Sequence, residues 1–125
     1  MKRKSTVVVD DAVAVIFFLS GLRSASYRKV HEAFWRLSKN KKFENVLIGL
    51  DFENSQEQFY SERIDKILSR FMTAGLLLHG NPRYSDAYVS DELVKHAERV
   101  LASQSVGNQK LLKQASLIFS DIMKE

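Results

Sequence analysis

The residues able to do chemistry are few and scattered. Two adjacent carboxylates, Asp10 and Asp11, stand directly before the apolar run AVAVIFFL. A pair of carboxyl groups sharing one site can divide acid and base roles between them. The same two residues also stand where a helix needs its first backbone N–H groups capped, and capping is the role their position predicts. Three histidines, His31, His79 and His96, have no companion at ligand spacing, so no metal site is expected. There is no cysteine, which excludes disulfides, thiolate catalysis and cysteine zinc sites. The five glycines (Gly21, Gly49, Gly75, Gly80 and Gly107) do not cluster into a phosphate-binding loop. No His-Glu-x-x-His pair and no Gly-x-Ser-x-Gly elbow occurs. No catalytic residue and no cofactor is predicted, and the chain reads as non-enzymatic.

Charge is the stronger signal. The net charge is +4 over 125 residues, but it is unevenly placed. From Arg23 to Lys42 seven lysines and arginines oppose Glu32 alone. From Phe43 to Glu62 five acids (Glu44, Asp51, Glu53, Glu57 and Glu62) meet no base. A basic block beside an acidic one suggests an oriented field, set against a plain solvated surface. Trp35, within the basic block, suits a core anchor better than a platform for stacked bases.

The elements that would position these groups follow from apolar spacing. The length suits a single domain of residues 1–125, with a basic tail over 1–9, a core over 10–101 and a C-terminal amphipathic helix over 108–124. The valines at 7–9 suit a short edge strand. Ala12 to Leu19 is apolar all round, which predicts a buried helix ending near Gly21. Ser24 or Ser26 starts a second helix running to about Lys39, with Tyr27, Val30, Phe34 and Leu37 inward. NVLIGLDF suits either a strand or a short buried helix, and ENSQEQ a polar loop. Asp91 to about Ser103 forms a helix that breaks at Gly107. The last helix carries Leu111, Leu112, Ala115, Ile118, Phe119 and Ile122 on one stripe. That stripe must hide on its own domain or in a homodimer through this helix. Lys2, Arg3 and Lys4 before an apolar run look superficially like an export signal. Asp10 and Asp11 oppose that reading, so a cytoplasmic protein with no membrane segment is expected.

The middle of the chain is its most informative stretch. FYSERIDKILSRFMTAGLL is followed by LHGNPRYSDAYVS. Ser61 can cap a helix whose Ile64, Ile67, Leu68 and Phe71 fall on one face. Gly75 ends it, because glycine accepts the left-handed conformation. Leu76–Leu78, a turn at Gly80, Asn81 and Pro82, and Ala87–Val89 then read as two strands of a hairpin. Ser90 or Asp91 caps the next helix.

This run of helix, glycine and hairpin, with Ala74-Gly75-Leu76-Leu77 at its junction, resembles the last helix and wing of a winged-helix domain. The resemblance covers about residues 10–101. It implies a mainly α (α+β) fold of about five helices with a small two- or three-stranded antiparallel wing-type sheet. In DNA-binding members the helix before the wing enters the major groove. By position, Arg63, Lys66 and Arg70 would then be helix contacts to duplex DNA, Arg83 and Tyr84 wing contacts, and Arg28 and Lys29 backbone contacts. The expected function is DNA binding or regulation. The alternative is a protein-interaction subunit of a multi-component bacterial system on the same fold. Two features depart from the DNA-binding pattern. About twenty residues, rather than a short turn, separate the second and third helices, and Glu62 and Asp65 oppose phosphate at the leading end of the third.

Overall fold

A computed structural model describes residues 7–55, 58–79 and 86–125. Among the described residues the fold is mainly α, with five α-helices, a three-stranded antiparallel sheet and a two-stranded one. The helices are α1 (Val9–Ser20), α2 (Tyr27–Ser38), α3 (Glu62–Thr73), α4 (Asp91–Ser103) and α5 (Val106–Met123). Strand β1 (Ser24–Ser26) lies between α1 and α2, and β2 (Glu53–Ser55) and β3 (Gln58–Tyr60) lie between α2 and α3. Strands β4 (Leu77–His79) and β5 (Asp86–Val89) lie between α3 and α4. The first strand joins the last two in one sheet of order β1-β5-β4. Ser24 faces Tyr88, which in turn faces Leu78.

The core forms around α1. Its residues from Ala12 to Phe17 are all fully buried, as expected of a helix without a polar side. It packs against α4 and α5, while α2 also packs on α5. Phe17, Phe34 and Phe119, one from each of α1, α2 and α5, meet with ring centroids 5.2–6.5 Å apart. Such tilted and edge-on pairs add to what area burial alone contributes. The C-terminal helix therefore belongs to the core. Leu112, Ala115, Phe119 and Ile122 are buried, whereas Ile118 is 38% exposed and Leu117 69% exposed.

Serines start four of the helices. Ser26, Ser61, Ser90 and Ser105 each accept a bond from the backbone N–H three residues on. Ser90 does more, since its hydroxyl also lies 2.7 and 2.8 Å from the carbonyl oxygens of Gly75 and Leu76. The end of α3 and the start of α4 are thus tied through one side chain. Gly75, at φ 78°, ends α3, and the Leu76 N–H turns back to the Phe71 carbonyl at 2.8 Å.

Several expectations are corrected. Asp10 and Asp11 do not cap α1: Val8 holds the cap position without a side-chain bond, and both carboxylates stand in the first turn. Their side chains are engaged by other helices instead. Val7–Val9 form no strand, and Val9 opens α1. Trp35 is only half-buried, because Phe34 and Leu37 take the inward face of α2. NVLIGLDF is neither strand nor α-helix. A 3₁₀ turn at Lys41–Phe43 leads into turns that bury Val46 and Leu47 and expose Ile48. The stretch around ENSQEQ is not a plain loop, because β2 pairs with β3 in antiparallel register. The α4–α5 break falls at Gln104 and Ser105, ahead of Gly107, which lies inside α5.

Phe119→Ala and Phe71→Ala should each cost about 3–5 kcal/mol, since both delete a buried ring. Leu117→Ala, at an exposed position, should change stability by less than about 0.5 kcal/mol. Urea unfolding of the three variants checks this order.

Candidate interaction surface

The exposed side of α3 is where the winged-helix resemblance implies helix contacts to duplex DNA, and its charges are already engaged. Asp10, in the first turn of α1, reaches both arginines of α3. Its two oxygens lie 3.3 Å from Arg63 and 2.5 Å from Arg70. Lys66, between them, lies 3.4 Å from Glu62 one turn back. With Asp65, three carboxylates stand against the three cations of this surface, so it carries no net charge. Arg63 and Lys66 share a cleft of about 350 Å³ with Gly49, Asp51, Phe52 and Glu62. Lys66 and Arg70 border a more open depression along Ser69, Thr73 and Ala74.

The other predicted contacts separate from this group. Lys29 lies 3.9 Å from Glu32 on its own helix. Arg28 is exposed on α2 and, among the described residues, meets no carboxylate at ion-pair distance. Neither lines the clefts beside α3. Arg83 and Tyr84 lie outside the described residues.

The leading end of α3 is anchored by a buried histidine. His31, from α2, accepts the Ser61 N–H on Nδ1 at 3.2 Å and stacks on Tyr60 with centroids 5.1 Å apart. Ser61 is fully buried and its hydroxyl caps α3 at the Ile64 N–H, 3.2 Å away. The bond from Ser61 requires a neutral ring protonated on Nε2. Burial holds the His31 pKa below its ordinary 6.5, opposed by the nearby Asp65 carboxylate. Asp11, the other half of the acidic pair, lies 3.1 Å from His96 on α4. The two aspartates therefore diverge to α3 and α4, and do not form a proton-sharing dyad.

Features that sequence reasoning missed lie elsewhere on the surface. Leu78 and Tyr88, directly opposite on β4 and β5, are 52% and 40% exposed. The half-buried Trp35 carries the Lys39 ammonium 5.2 Å from its ring centroid. A basic side chain four residues after a tryptophan on a helix was a visible signal for that contact. Nothing in the sequence signalled the Asp10 clamp, which joins residues 53 and 60 positions apart. Among the described residues no group of three or more potential metal ligands gathers, and no helix is long and apolar enough to cross a membrane. Compared with protein-family models, curated proteins and solved structures, the chain matches none.

Two measurements test this surface. Asp10→Asn should cost about 1 kcal/mol or less, because exposed ion pairs contribute little. A loss above about 3 kcal/mol in urea unfolding would instead mark a buried charge network. His31 should make stability fall on acidification. The unfolded chain takes up a proton near pH 6.5 and the native protein does so only at lower pH. Stability is therefore complete above that value, declines as pH drops below it, and levels off once the native ring is protonated. Urea unfolding across this range should show the decline in wild type and a shallower one in His31→Gln.

Proposed function

We propose that the chain is a non-enzymatic, winged-helix-type module of the cytoplasm that works by docking on a protein partner. A helix, α3, running directly into the β4–β5 hairpin, with β1 added beside that hairpin, supports the winged-helix reading, although the β2–β3 pair stands between α2 and α3. The observation that carries the docking reading is the neutrality of α3. A helix that binds duplex DNA through phosphates gains affinity by releasing counterions, which needs uncompensated positive charge. Here Asp10, Glu62 and Asp65 offset Arg63, Lys66 and Arg70. The exposed Leu78–Tyr88 pair adds an apolar, aromatic contact of the kind enriched in protein interfaces. A second copy meeting Leu117 and Ile118 of α5 is one such partner.

DNA-linked regulation is the second reading, favoured by the winged arrangement and by Arg28, which meets no carboxylate among the described residues. A titration of the full chain with random-sequence duplex at several salt concentrations separates the two. Each phosphate contact contributes roughly −0.9 to the log–log salt slope. Arg63→Ala/Arg70→Ala should leave the slope and the affinity as in wild type, within about twofold. A slope less steep by about two in this variant, with lost affinity, would place α3 on DNA and overturn the docking reading.

A further inference from the structure

We propose that the corner formed by the end of α2 and the 3₁₀ turn after it docks an acidic peptide segment of a partner protein. This rests on the docking reading above and gives it a site and a ligand chemistry. The segment from Ala33 to Phe43 contains Arg36, Lys39, Lys41 and Lys42 and no carboxylate. All three lysines are exposed. Among the described residues, none of them has a carboxylate within ion-pair distance. The nearest carboxylates in sequence are Glu32, which lies against Lys29, and the exposed Glu44. This is the opposite arrangement to α3, where each cation has an acidic partner.

The corner is also built to hold its shape. Phe43 is buried beneath it, and its N–H bonds to the Asn40 carbonyl at 3.1 Å. The Asn40 side chain accepts the Lys42 N–H at 3.0 Å. The backbone carrying Lys41 and Lys42 is thereby fixed, so the ordering cost of binding falls on the side chains alone. The C-terminus of α2 favours cations without removing their charge as a carboxylate would. Trp35, half-buried with Lys39 beside its ring, supplies an apolar surface within the basic rim. Tryptophan ringed by polar groups is a common anchor of protein interfaces.

The chemistry of the ligand follows from the group the corner already holds. Arg36 binds the Glu125 carboxylate at 2.8 Å, so a carboxylate is seated at this end of α2. A nucleic acid strand fits less well. Successive bases need successive aromatic faces, and the aromatic neighbours of Trp35 in this segment, Phe34 and Phe43, are buried. An acidic segment bearing one aliphatic or aromatic side chain matches both the lysines and the indole.

Trp35 is the only tryptophan in the chain, so its emission reports on this corner alone. The full chain would be titrated with a short glutamate-rich peptide carrying one leucine, and in parallel with oligothymidylate of equal length. The peptide should change Trp35 emission. Lys41→Glu/Lys42→Glu should weaken that binding by about tenfold or more, as expected of close charge pairs turned repulsive. Lys110→Glu/Lys113→Glu, the same charge change on exposed positions of α5, should bind as wild type. Lys41→Gln/Lys42→Gln, which adds no repulsion, should weaken it by less, and should serve where the reversal variant melts early. Equal weakening by both reversal variants would reduce the effect to net-charge attraction and overturn the proposal. So would an absent emission change, or tighter binding of oligothymidylate on the same signal. The duplex experiment substitutes only Arg63 and Arg70, so the corner and the docking reading fail separately.

Discussion

A helix with no polar side has to be covered on every side, and α1 is such a helix. Its buried run from Ala12 to Phe17 leaves no face that water can share. Burying side chains of this size stabilises the fold by roughly 1.5–3 kcal/mol for each of the larger ones, taken as an upper estimate. That gain is collected only if α4 and α5 close over α1 while α2 packs on α5. Phe17 links these surfaces by touching both Phe34 and Phe119. The C-terminal helix is thus part of what makes the amino-terminal one possible. The remaining elements, α3 and the small sheet, are placed by the edges this helical core leaves open.

That placement decides the electrostatics of α3. Asp10 follows the N-cap residue of α1 by two positions, where the helix dipole already favours a negative charge. Packing brings it within reach of two arginines that one face of α3 presents seven residues apart. A cation engaged by a carboxylate on its own protein must give up that partner before it neutralises a phosphate. The exchange is cheap for one exposed pair. It does not alter the sum, because the released carboxylate stays on the same surface and repels the incoming anion. Net surface charge, rather than the number of arginines, therefore separates α3 from the α2 corner, where the lysines have no such carboxylate among the described residues.

Periodic, local features were legible in the sequence. The Ile64, Ile67, Leu68 and Phe71 stripe is buried, Ser61 and Ser90 cap the helices they precede, and Gly75 takes the left-handed turn. Each depends on neighbours within about one helical turn, so spacing alone reveals it. The mixed architecture follows from such segments, and the described residues form five helices with small antiparallel sheets. Long-range pairings were not legible. Asp10 stood in a position that suits a cap, and only the docking of α1 beside α3 shows it serving Arg63 and Arg70 instead. Trp35 was expected inside because it is large and apolar. On α2 the inward positions were already filled by Val30, Phe34 and Leu37, and the next residue round the helix falls at the margin. Residues 40–60 failed for a third reason. Short runs such as NVLIGLDF carry no period long enough to choose a structure, and the β2–β3 pairing depends on backbone bonds that side-chain pattern does not encode.

The connection between α2 and α3 is long, and α3 keeps a defined position without a short helix-to-helix turn. A long connection would leave the start of α3 loosely placed unless something on α2 held it. His31 supplies that hold, accepting the Ser61 N–H and stacking on Tyr60 at the end of β3. Tyr27, one turn earlier on α2, donates its hydroxyl to the Met72 sulfur at 3.0 Å near the far end of α3. The two contacts bracket the helix, so α2 fixes both ends of α3 through side chains where a tight turn would have fixed one end through the backbone. At its C-terminal end the same helix holds Glu125 through Arg36 and sets Lys39 beside Trp35, with the 3₁₀ turn beyond. One face of α2 is committed to holding α3, and its C-terminal end carries the exposed lysines. The packing beneath that end, with Phe43 buried and Arg36 held by Glu125, keeps its exposed lysines on a fixed backbone.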